Sequence, residues 1–410
     1  ILPLYDNYLL IPSRSPSIII LIMKKTAQSW IKKKAAGNPR QHSSLQAVAH
    51  LDKSPVPDSY AKLMKPSFFE SLIPRKLNSV SEFEKFKLNP HSLNDATNLK
   101  FYNKLLPEIY YEMHDRGANY FYASLVLSLG EFLGFNHQDP NQNQCVKIAA
   151  FIEMMHNTFL VYDDFCDDSH TRQGKESVVK MYGAPLAITS CIQAWYQAQN
   201  ILLDSLPKEI HGGALKTISQ ALQNISFAQN FDLGIKIHGY IPSEEEYANH
   251  SVNKFYSAHM GADLLFLLSD TEPEVRNLFM QVLDNLAISY HIRDDILNLI
   301  PSGVTKMKSF IGEDIYEQKP SFLVIHSHNQ AKNSERLQEI LNMGTRDERL
   351  IQEAIEIMEV NGSFKYAREQ AKIHAESALI ALEDLKKYDE FGGHDAIQRI
   401  VEHITSRTYQ

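Results

Sequence analysis

The sequence predicts an all-α protein built as a helical bundle. From about residue 92 onward, apolar residues recur at intervals of three and four, which is the spacing of one face of an α-helix. Period-two alternation and Asn-Gly turns, which would indicate β-hairpins, are nearly absent. Several segments are apolar on more than one face, so we expect them to be buried inside a large bundle.

The candidate helices follow one another along the chain and share this apolar spacing. They cover residues 122–135, 146–164, 184–206, 215–232, 244–269, 274–299 and 347–359. The second and the sixth of these segments both carry acidic residues at or near their C-terminal ends. Together the segments predict one helical domain over residues 92–410.

Residues 1–91 are predicted to form a partly disordered N-terminal extension. Prolines interrupt it repeatedly, and it lacks sustained periodicity. A basic segment begins at Met23, and no Asp or Glu occurs between Asp6 and Asp52, which is typical of an organelle transit segment. Two interpretations stay open, namely a mitochondrial targeting segment or a basic tail on a cytoplasmic protein.

Composition and charge argue against several classes of function. The 410 residues are 44% hydrophobic and 22% charged, which is typical of a globular protein. The formal net charge is −8 and no long basic stripe occurs, so no nucleic acid partner is expected. Three cysteines give neither a disulfide framework nor a zinc site. The longest apolar run in the first part of the chain, residues 18–23, is too short to cross a membrane, so no integral membrane association is expected.

Two acidic clusters carry the candidate chemistry. One ends the second candidate helix and the other ends the sixth: Asp163, Asp164 and Asp167, and Asp294, Asp295 and Asn298. Residues four apart share a helix face, so these carboxylates repel one another unless cations bind. Oxygen ligands without His or Cys favour magnesium, which binds substrate phosphates through one or two carboxylates. One such cluster is also typical of an acidic helix end or a loose calcium site, but the pair favours a magnesium site.

With these motifs the sequence resembles the superfamily of trans-prenyltransferases and class I terpene synthases. Over about residues 95–340 it is similar to eukaryotic geranylgeranyl diphosphate synthases, with matching segments at 172–174, 227–232, 291–298, 308–310, 313–315 and 319–322, and at Lys254. The resemblance implies an isoprenoid synthase helical bundle. Its central active-site cavity would carry one aspartate motif on each of two facing helices, and the protein would be a homodimer.

The resemblance also implies a role for individual residues. An allylic prenyl diphosphate would be held by Arg172, Lys254, Lys308, Lys319 and Gln229. About three Mg²⁺ ions, or Mn²⁺ in their place, would be bound by Asp163, Asp164, Asp167, Asp294, Asp295 and Asn298. Catalysis would depend on charge stabilisation of the departing diphosphate by the metal and by cationic side chains, so the implied catalytic set is Asp163, Asp164, Asp167, Asp294, Arg172 and Lys254.

The residues that would bind isopentenyl diphosphate match the family poorly. Where relatives carry Lys and Arg before the first helix, this chain has Ala118 and Phe121. Gln173 stands where relatives carry a second arginine, and His156 is the matching member that remains. Each lost charge-assisted contact removes roughly 1.5–3 kcal/mol of binding free energy, so the loss of three lowers the affinity on the order of a thousandfold or more. We therefore expect chain elongation to be severely impaired.

Three hypotheses follow for the function. The first is a terpene synthase, a lyase that ionises geranyl, farnesyl or geranylgeranyl diphosphate to a terpene hydrocarbon or alcohol. The second is a prenyltransferase like geranylgeranyl diphosphate synthase, favoured if another cation such as Arg116 or Lys175 reaches the second diphosphate. The third is an inactive subunit that regulates an active partner. The intact metal and allylic sets argue against the third, and the altered isopentenyl set favours the first.

Overall fold

The computed structural model describes residues 60, 63–65, 68–69, 71, 111–113, 120–135, 143–300, 311–330 and 333–406. The chain divides into two units, Ile1–Lys53 and Ser54–Gln410, and every described residue belongs to the second. The predicted transit segment, Arg116, Ala118 and Lys308 lie outside the described residues.

The described part of the chain is almost entirely helical, which confirms the predicted all-α class. The first helices are α1 (Phe121–Phe132), α2 (Gln144–Cys166), α3 (Val178–Tyr182), α4 (Ala184–Ser205), α5 (His211–His238), α6 (Glu244–Lys254) and α7 (Tyr256–Phe266). The later ones are α8 (Pro273–Leu299), α9 (Glu313–Tyr316), α10 (Phe322–His328), α11 (Ser334–Met343), α12 (Glu348–Val360), α13 (Ser363–Leu385) and α14 (His394–Ser406). A two-stranded antiparallel ribbon, β1 (Thr171–Arg172) and β2 (Lys175–Glu176), follows α2.

Local capping explains where several helices begin. The Asn143 side chain accepts a hydrogen bond from the Val146 amide at 3.2 Å and caps α2. Ser243 and Glu246 form a reciprocal capping box at the start of α6. The prediction of one continuous helix over 244–269 was wrong, because the chain leaves helical geometry at Phe255, between α6 and α7. Lys254 is therefore the last residue of its helix.

The main hydrophobic core lies where α1, α2, α7 and α8 pack together. Leu127, Ile152 and Leu286 are fully buried in it. Gly261 on α7 allows a close approach to α1, since a Cβ atom there would lie 2.4 Å from Cγ2 of Val126. A second hydrophobic core cluster is formed by buried residues from the end of α8 and from α10, α11, α12 and α13.

The packed helical unit begins before the boundary that the sequence predicts at residue 92. Tyr60, Met64 and Phe69 are at most 2% exposed and belong to the main core cluster. The Tyr60 hydroxyl also donates a hydrogen bond to Glu131 on α1. Periodicity does not predict this packing, because prolines interrupt the apolar spacing in this part of the sequence.

The fold places the C-terminal ends of α2 and α8, with their aspartate motifs, around one cavity. The end of α6, the ribbon after α2 and the segment between α9 and α10 complete its walls. Among the described residues, no helix combines the length and the apolar character needed to cross a membrane.

Candidate active site

The candidate site is a cavity of about 260 Å³ that brings together residues far apart in the sequence. Among those that line it are the following predicted site residues: Asp163, Asp167, Arg172, Lys254, Asp294, Asp295 and Lys319. It therefore contains carboxylates from both aspartate motifs and cationic side chains from separate elements. This is the arrangement expected for binding a metal-associated diphosphate.

Arg172 bridges two carboxylates of the first motif. Its Nη2 donates to Oδ2 of Asp163 at 2.8 Å, and its Nε donates to Oδ1 of Asp164 at 2.8 Å. The ribbon that follows α2 turns the chain back so that β1 reaches the helix it has just left. Burial disfavours the charged form of Asp163, but the positive Lys319 and Arg172 outweigh it and lower the pKa to about 2. Asp163 is therefore ionised at neutral pH.

Lys319 reaches the same motif from the segment between α9 and α10. Its Nζ donates to Asp167 and lies 3.0 Å from Oε2 of Glu317. Burial raises the pKa of Asp167 to about 6 despite Lys319, and the nearby charge of Asp163 acts in the same direction as burial. The two carboxylates thus repel one another as their helical spacing predicts.

Lys254 belongs to a second ion-pair cluster in the cavity wall. Its Nζ lies 2.7 Å from Oδ2 of Asp232 on α5, and Nε2 of His250 lies 2.9 Å from the other oxygen. Burial alone would raise the pKa of Asp232, but Lys254 and His250 hold it well below its usual range. Sequence reasoning missed His250, whose only signal was its position one helical turn before Lys254.

The second motif contributes residues with different surroundings. Asp294 lines the cavity on α8. Asp295 also lines it, but its Oδ2 accepts hydrogen bonds from the Tyr247 hydroxyl and from the Phe322 amide, each at 2.7 Å. Burial raises the pKa of Asp295 to about 8, with Asp314 adding repulsion. Asp295 therefore ties α8 to α6 and to the start of α10, a role that sequence reasoning missed.

Three predicted site residues do not line the cavity. Asn298 is fully buried, and its side chain donates to Oδ1 of Asp314 at 3.0 Å and accepts from the Asp314 amide at 3.3 Å. Asp164 is fully buried and faces Arg172. Gln229 is 7% exposed and lies beside the Cys166 thiol. In this arrangement the side chain of Asn298 contacts Asp314, and the side chain of Asp164 contacts Arg172.

Aromatic rings surround Phe121, one of the positions at which the resemblance implies an isopentenyl-binding cation. Phe121 stacks on Tyr290 with ring centroids 6.4 Å apart, and it lies 5.8 Å from the Phe255 ring. Tyr122 lies 4.6 Å from the His156 ring. Burial lowers the pKa of His156 to about 4, so its imidazole is neutral at neutral pH. Gln173 lines the charged cavity.

The donor set fits a metal that is shared with a substrate. Within the described ranges, no three acidic, His or Cys side chains converge closely enough to hold a metal ion by themselves. Carboxylate oxygens nevertheless face the cavity from both α2 and α8. Mg²⁺ typically takes one or two carboxylates and completes its shell with water and phosphate oxygens.

Comparisons with known proteins agree with this geometry. A profile of the polyprenyl synthetase family matches residues 103–358. A geranylgeranyl pyrophosphate synthase of Dictyostelium discoideum is 28% identical over 63% of this chain and 80% of its own length. Another, from Macrophomina phaseolina, is 30% identical over 57% of this chain and 70% of its own length.

Solved structures show the same fold. The geranylgeranyl pyrophosphate synthetase of Pyrococcus horikoshii superposes with a TM-score of 0.67 at 23% identity, over 85% of this chain and 97% of its own. A polyprenyl synthase of Caulobacter crescentus, solved in complex with calcium and isoprenyl diphosphate, has a TM-score of 0.61 at 16% identity, over 82% of this chain and 99% of its own.

These findings contradict the prediction of a terpene synthase lyase. The matching family and the relatives at 28–30% identity are polyprenyl and geranylgeranyl pyrophosphate synthases, which are transferases. The prediction added up the binding free energy lost with the positive charges that are missing at positions 118, 121 and 173. Such a sum ignores the other cations that the folded cavity brings together. With a family match over more than half of its length and the corresponding fold and cavity, the chain belongs to the polyprenyl synthetase family.

Proposed function

We propose that this protein is a prenyltransferase that joins isopentenyl diphosphate to an allylic prenyl diphosphate, as geranylgeranyl diphosphate synthases do. One observation carries the proposal: Asp163, Asp167 and Asp294 line one cavity together with Arg172, Lys254 and Lys319. An allylic diphosphate fits a site with both metal-binding carboxylates and cations. The names of the relatives support the same reaction class.

Magnesium is the metal that this donor set favours, with Mn²⁺ as an alternative. Asp163, Asp167 and Asp294 would hold it, because their carboxylates line the cavity. Bound metal would neutralise the diphosphate and so favour cleavage of the allylic C–O bond. Asp295 would contribute through the oxygen that Tyr247 and Phe322 do not use.

The cationic side chains have a second function once substrate is bound. Without substrate, Arg172 and Lys319 neutralise the negative charge of the first aspartate motif. Metal bound to the same carboxylates would take over that role, leaving the guanidinium and the ammonium to donate hydrogen bonds to diphosphate oxygens. Charge that develops on the leaving group is then stabilised by groups already in place, which lowers the ionisation barrier. Lys254, which pairs with Asp232, would act from the end of α6.

The second substrate is expected to bind weakly. The described residues at the matching positions are Phe121 and Gln173, and His156 is neutral, so none of the three supplies a positive charge. A diphosphate gains roughly 1.5–3 kcal/mol from each charge-assisted hydrogen bond. We therefore expect a high KM for isopentenyl diphosphate and a lower one for the allylic substrate.

The test is a product analysis. The protein is incubated with Mg²⁺ and geranyl, farnesyl or geranylgeranyl diphosphate, with and without isopentenyl diphosphate, and alcohols and hydrocarbons are identified after dephosphorylation. The proposal predicts a prenyl chain one isoprene unit longer, formed only when both substrates are present. Rearranged or hydrated products that form equally well without isopentenyl diphosphate would contradict it, and so would the absence of any product.

The homodimer remains part of this proposal. Exposed apolar side chains lie on α4 and α5, where Ile192, Tyr196 and Leu215 are 42–61% exposed. A second copy that packs on these helices would remove this apolar surface from water. Light scattering after size-exclusion chromatography measures the mass directly, and a monomer at micromolar concentration would contradict this part.

A further inference from the structure

His250 and Lys254 lie one helical turn apart on α6, and both line the cavity. Their nitrogen atoms contact the two oxygens of one carboxylate, that of Asp232 on α5. Nε2 of His250 lies 2.9 Å from Oδ1, and Nζ of Lys254 lies 2.7 Å from Oδ2. The side chains of His250 and Asp232 are 12% and 11% exposed, so this pair is largely shielded from water. The carboxylate therefore bridges one turn of α6.

The imidazole of His250 fixes the orientation of this carboxylate. Burial disfavours the charged form of Asp232, but Lys254 and His250 hold its pKa well below the usual range. An ionised carboxylate only accepts hydrogen bonds, so Nε2 of His250 carries the shared proton. The Phe231 ring packs beside the imidazole with centroids 5.3 Å apart. Nδ1 is buried and, among the described residues, has no hydrogen-bond partner. Asp232 is therefore the polar group through which His250 can act.

The ammonium group of Lys254 is subject to opposing forces. Burial works against its charge, but Asp232 outweighs burial and raises the pKa of Lys254. Lys319 repels the ammonium group and Asp163 attracts it. A lysine side chain is flexible, so these forces would spread it over several positions. A carboxylate of fixed orientation holds it in one position before a diphosphate binds, and less conformational entropy is then lost on binding.

We propose that His250 is a positioning residue, which through Asp232 holds the ammonium group of Lys254 where it binds the diphosphate of the allylic substrate. This inference rests on the proposed function, in which an allylic diphosphate occupies this cavity. Without the Nε2–H donor, Oδ1 of Asp232 would be a buried acceptor without a partner. The carboxylate would then rotate to share the ammonium group between both oxygens. Lys254 would withdraw toward α5 and contact the diphosphate less well.

The experiment measures diphosphate affinity, which does not depend on turnover. His250→Leu removes the donor, and His250→Gln places an amide N–H near the position of Nε2. Inorganic diphosphate is titrated into each variant with saturating Mg²⁺ in a calorimeter. We expect His250→Leu to weaken the affinity by about three- to tenfold and His250→Gln to remain near the wild type.

A double-mutant cycle tests whether His250 acts through Lys254. Both residues are replaced singly and together, as His250→Leu and Lys254→Met. In the Lys254→Met protein we expect His250→Leu to have no further effect on diphosphate affinity, because no ammonium group remains to be positioned. A residue that only stabilises the fold, or that contacts the diphosphate itself, would weaken binding equally in both backgrounds.

The matched control is His259→Leu. His259 forms the same kind of pair, with Nε2 2.8 Å from Oδ1 of Asp284, and its Nδ1 is also buried without a hydrogen-bond partner among the described residues. It does not line the cavity. We expect this variant to bind diphosphate as the wild type does. If His250→Leu does not fold, His250→Asn replaces it, because the shorter amide does not reach Asp232.

The outcomes separate this inference from the proposed function. Unchanged affinity in His250→Leu overturns the inference, and so does a loss that persists in the Lys254→Met protein. An equal loss in His250→Gln or in His259→Leu also overturns it, because the N–H donor at Asp232 would then not be the cause. Wild-type protein that binds diphosphate but forms no elongated product overturns the proposed function alone. Wild-type protein that does not bind diphosphate with Mg²⁺ overturns both.

Discussion

Replacement of Lys319 by Gln tests whether the cation that pairs with the first aspartate motif also binds diphosphate. Lys319 is 22% exposed at its side chain and contacts Asp167 and Glu317. Gln keeps much of the length and removes the charge. A charge-assisted hydrogen bond contributes roughly 1.5–3 kcal/mol, which corresponds to about a tenfold to a hundredfold weaker diphosphate affinity.

The affinity is measured by titrating inorganic diphosphate into the protein with saturating Mg²⁺ in a calorimeter. Lys180→Gln is the matched control, because Lys180 forms a comparable pair with Asp168 at 2.6 Å, in which Asp168 is 79% exposed. Lys180 does not line the cavity. We expect the control to bind as the wild type does. Equal affinities for the wild type and Lys319→Gln, or an equal loss in both variants, would show that Lys319 does not bind diphosphate.

Further predictions concern three other residues. Asp163→Ala should reduce turnover to background with retained helical circular dichroism, and an unchanged rate would discredit the metal assignment. Asn298→Ala should lower the free energy of unfolding by about 1–3 kcal/mol, because it removes two hydrogen bonds to Asp314. The Mg²⁺ concentration for half-maximal activity should stay unchanged. A large rise in that concentration would identify Asn298 as a metal ligand. Burial raises the pKa of Glu153 from 4.5 to about 7. The wild type should therefore lose up to about 3 kcal/mol of unfolding free energy as the pH rises from 4.5 to 7, and Glu153→Gln should not show this loss. The sign follows because the folded state binds more protons than the unfolded state in that window, and denaturant melts at pH 5 and pH 8 measure it.

The sequence predicts best what is encoded within a few residues. The i, i+4 spacing of Asp163 and Asp167 at the end of an apolar helix indicates their shared face, and both line the cavity. Helical periodicity likewise predicts α2 and α8 to within a few residues at each end. Lys254 and Lys319 required the resemblance, because nothing in their neighbourhoods distinguishes them from surface lysines.

Contacts between segments that are far apart in the chain could not be predicted from the sequence. Tyr247 and Asp295 form a hydrogen bond across 48 positions, and Lys319 pairs with Asp167 across 152. Asn298 matched a ligand position of the motif, but the tertiary structure directs its side chain toward Asp314. Such roles depend on which helices pack together, and periodicity describes each helix alone.

The incorrect lyase prediction has a related physical origin. Ala118 and Phe121 were weighed as lost charges, although the affinity for a diphosphate depends on every cation that the fold brings near it. In the described structure Phe121 packs on Tyr290 and Phe255, so its ring contributes to an aromatic wall. A substitution at one contact residue therefore changes the affinity for a substrate, but it does not by itself change the class of the reaction.

The proposed reaction consumes two prenyl diphosphates and releases one inorganic diphosphate. The most direct measurement is the stoichiometry of a single incubation with Mg²⁺, an allylic diphosphate and radiolabelled isopentenyl diphosphate. We expect one molecule of inorganic diphosphate to be released for each labelled isopentenyl unit that is incorporated into a longer chain. Release of inorganic diphosphate with no label incorporated would contradict it.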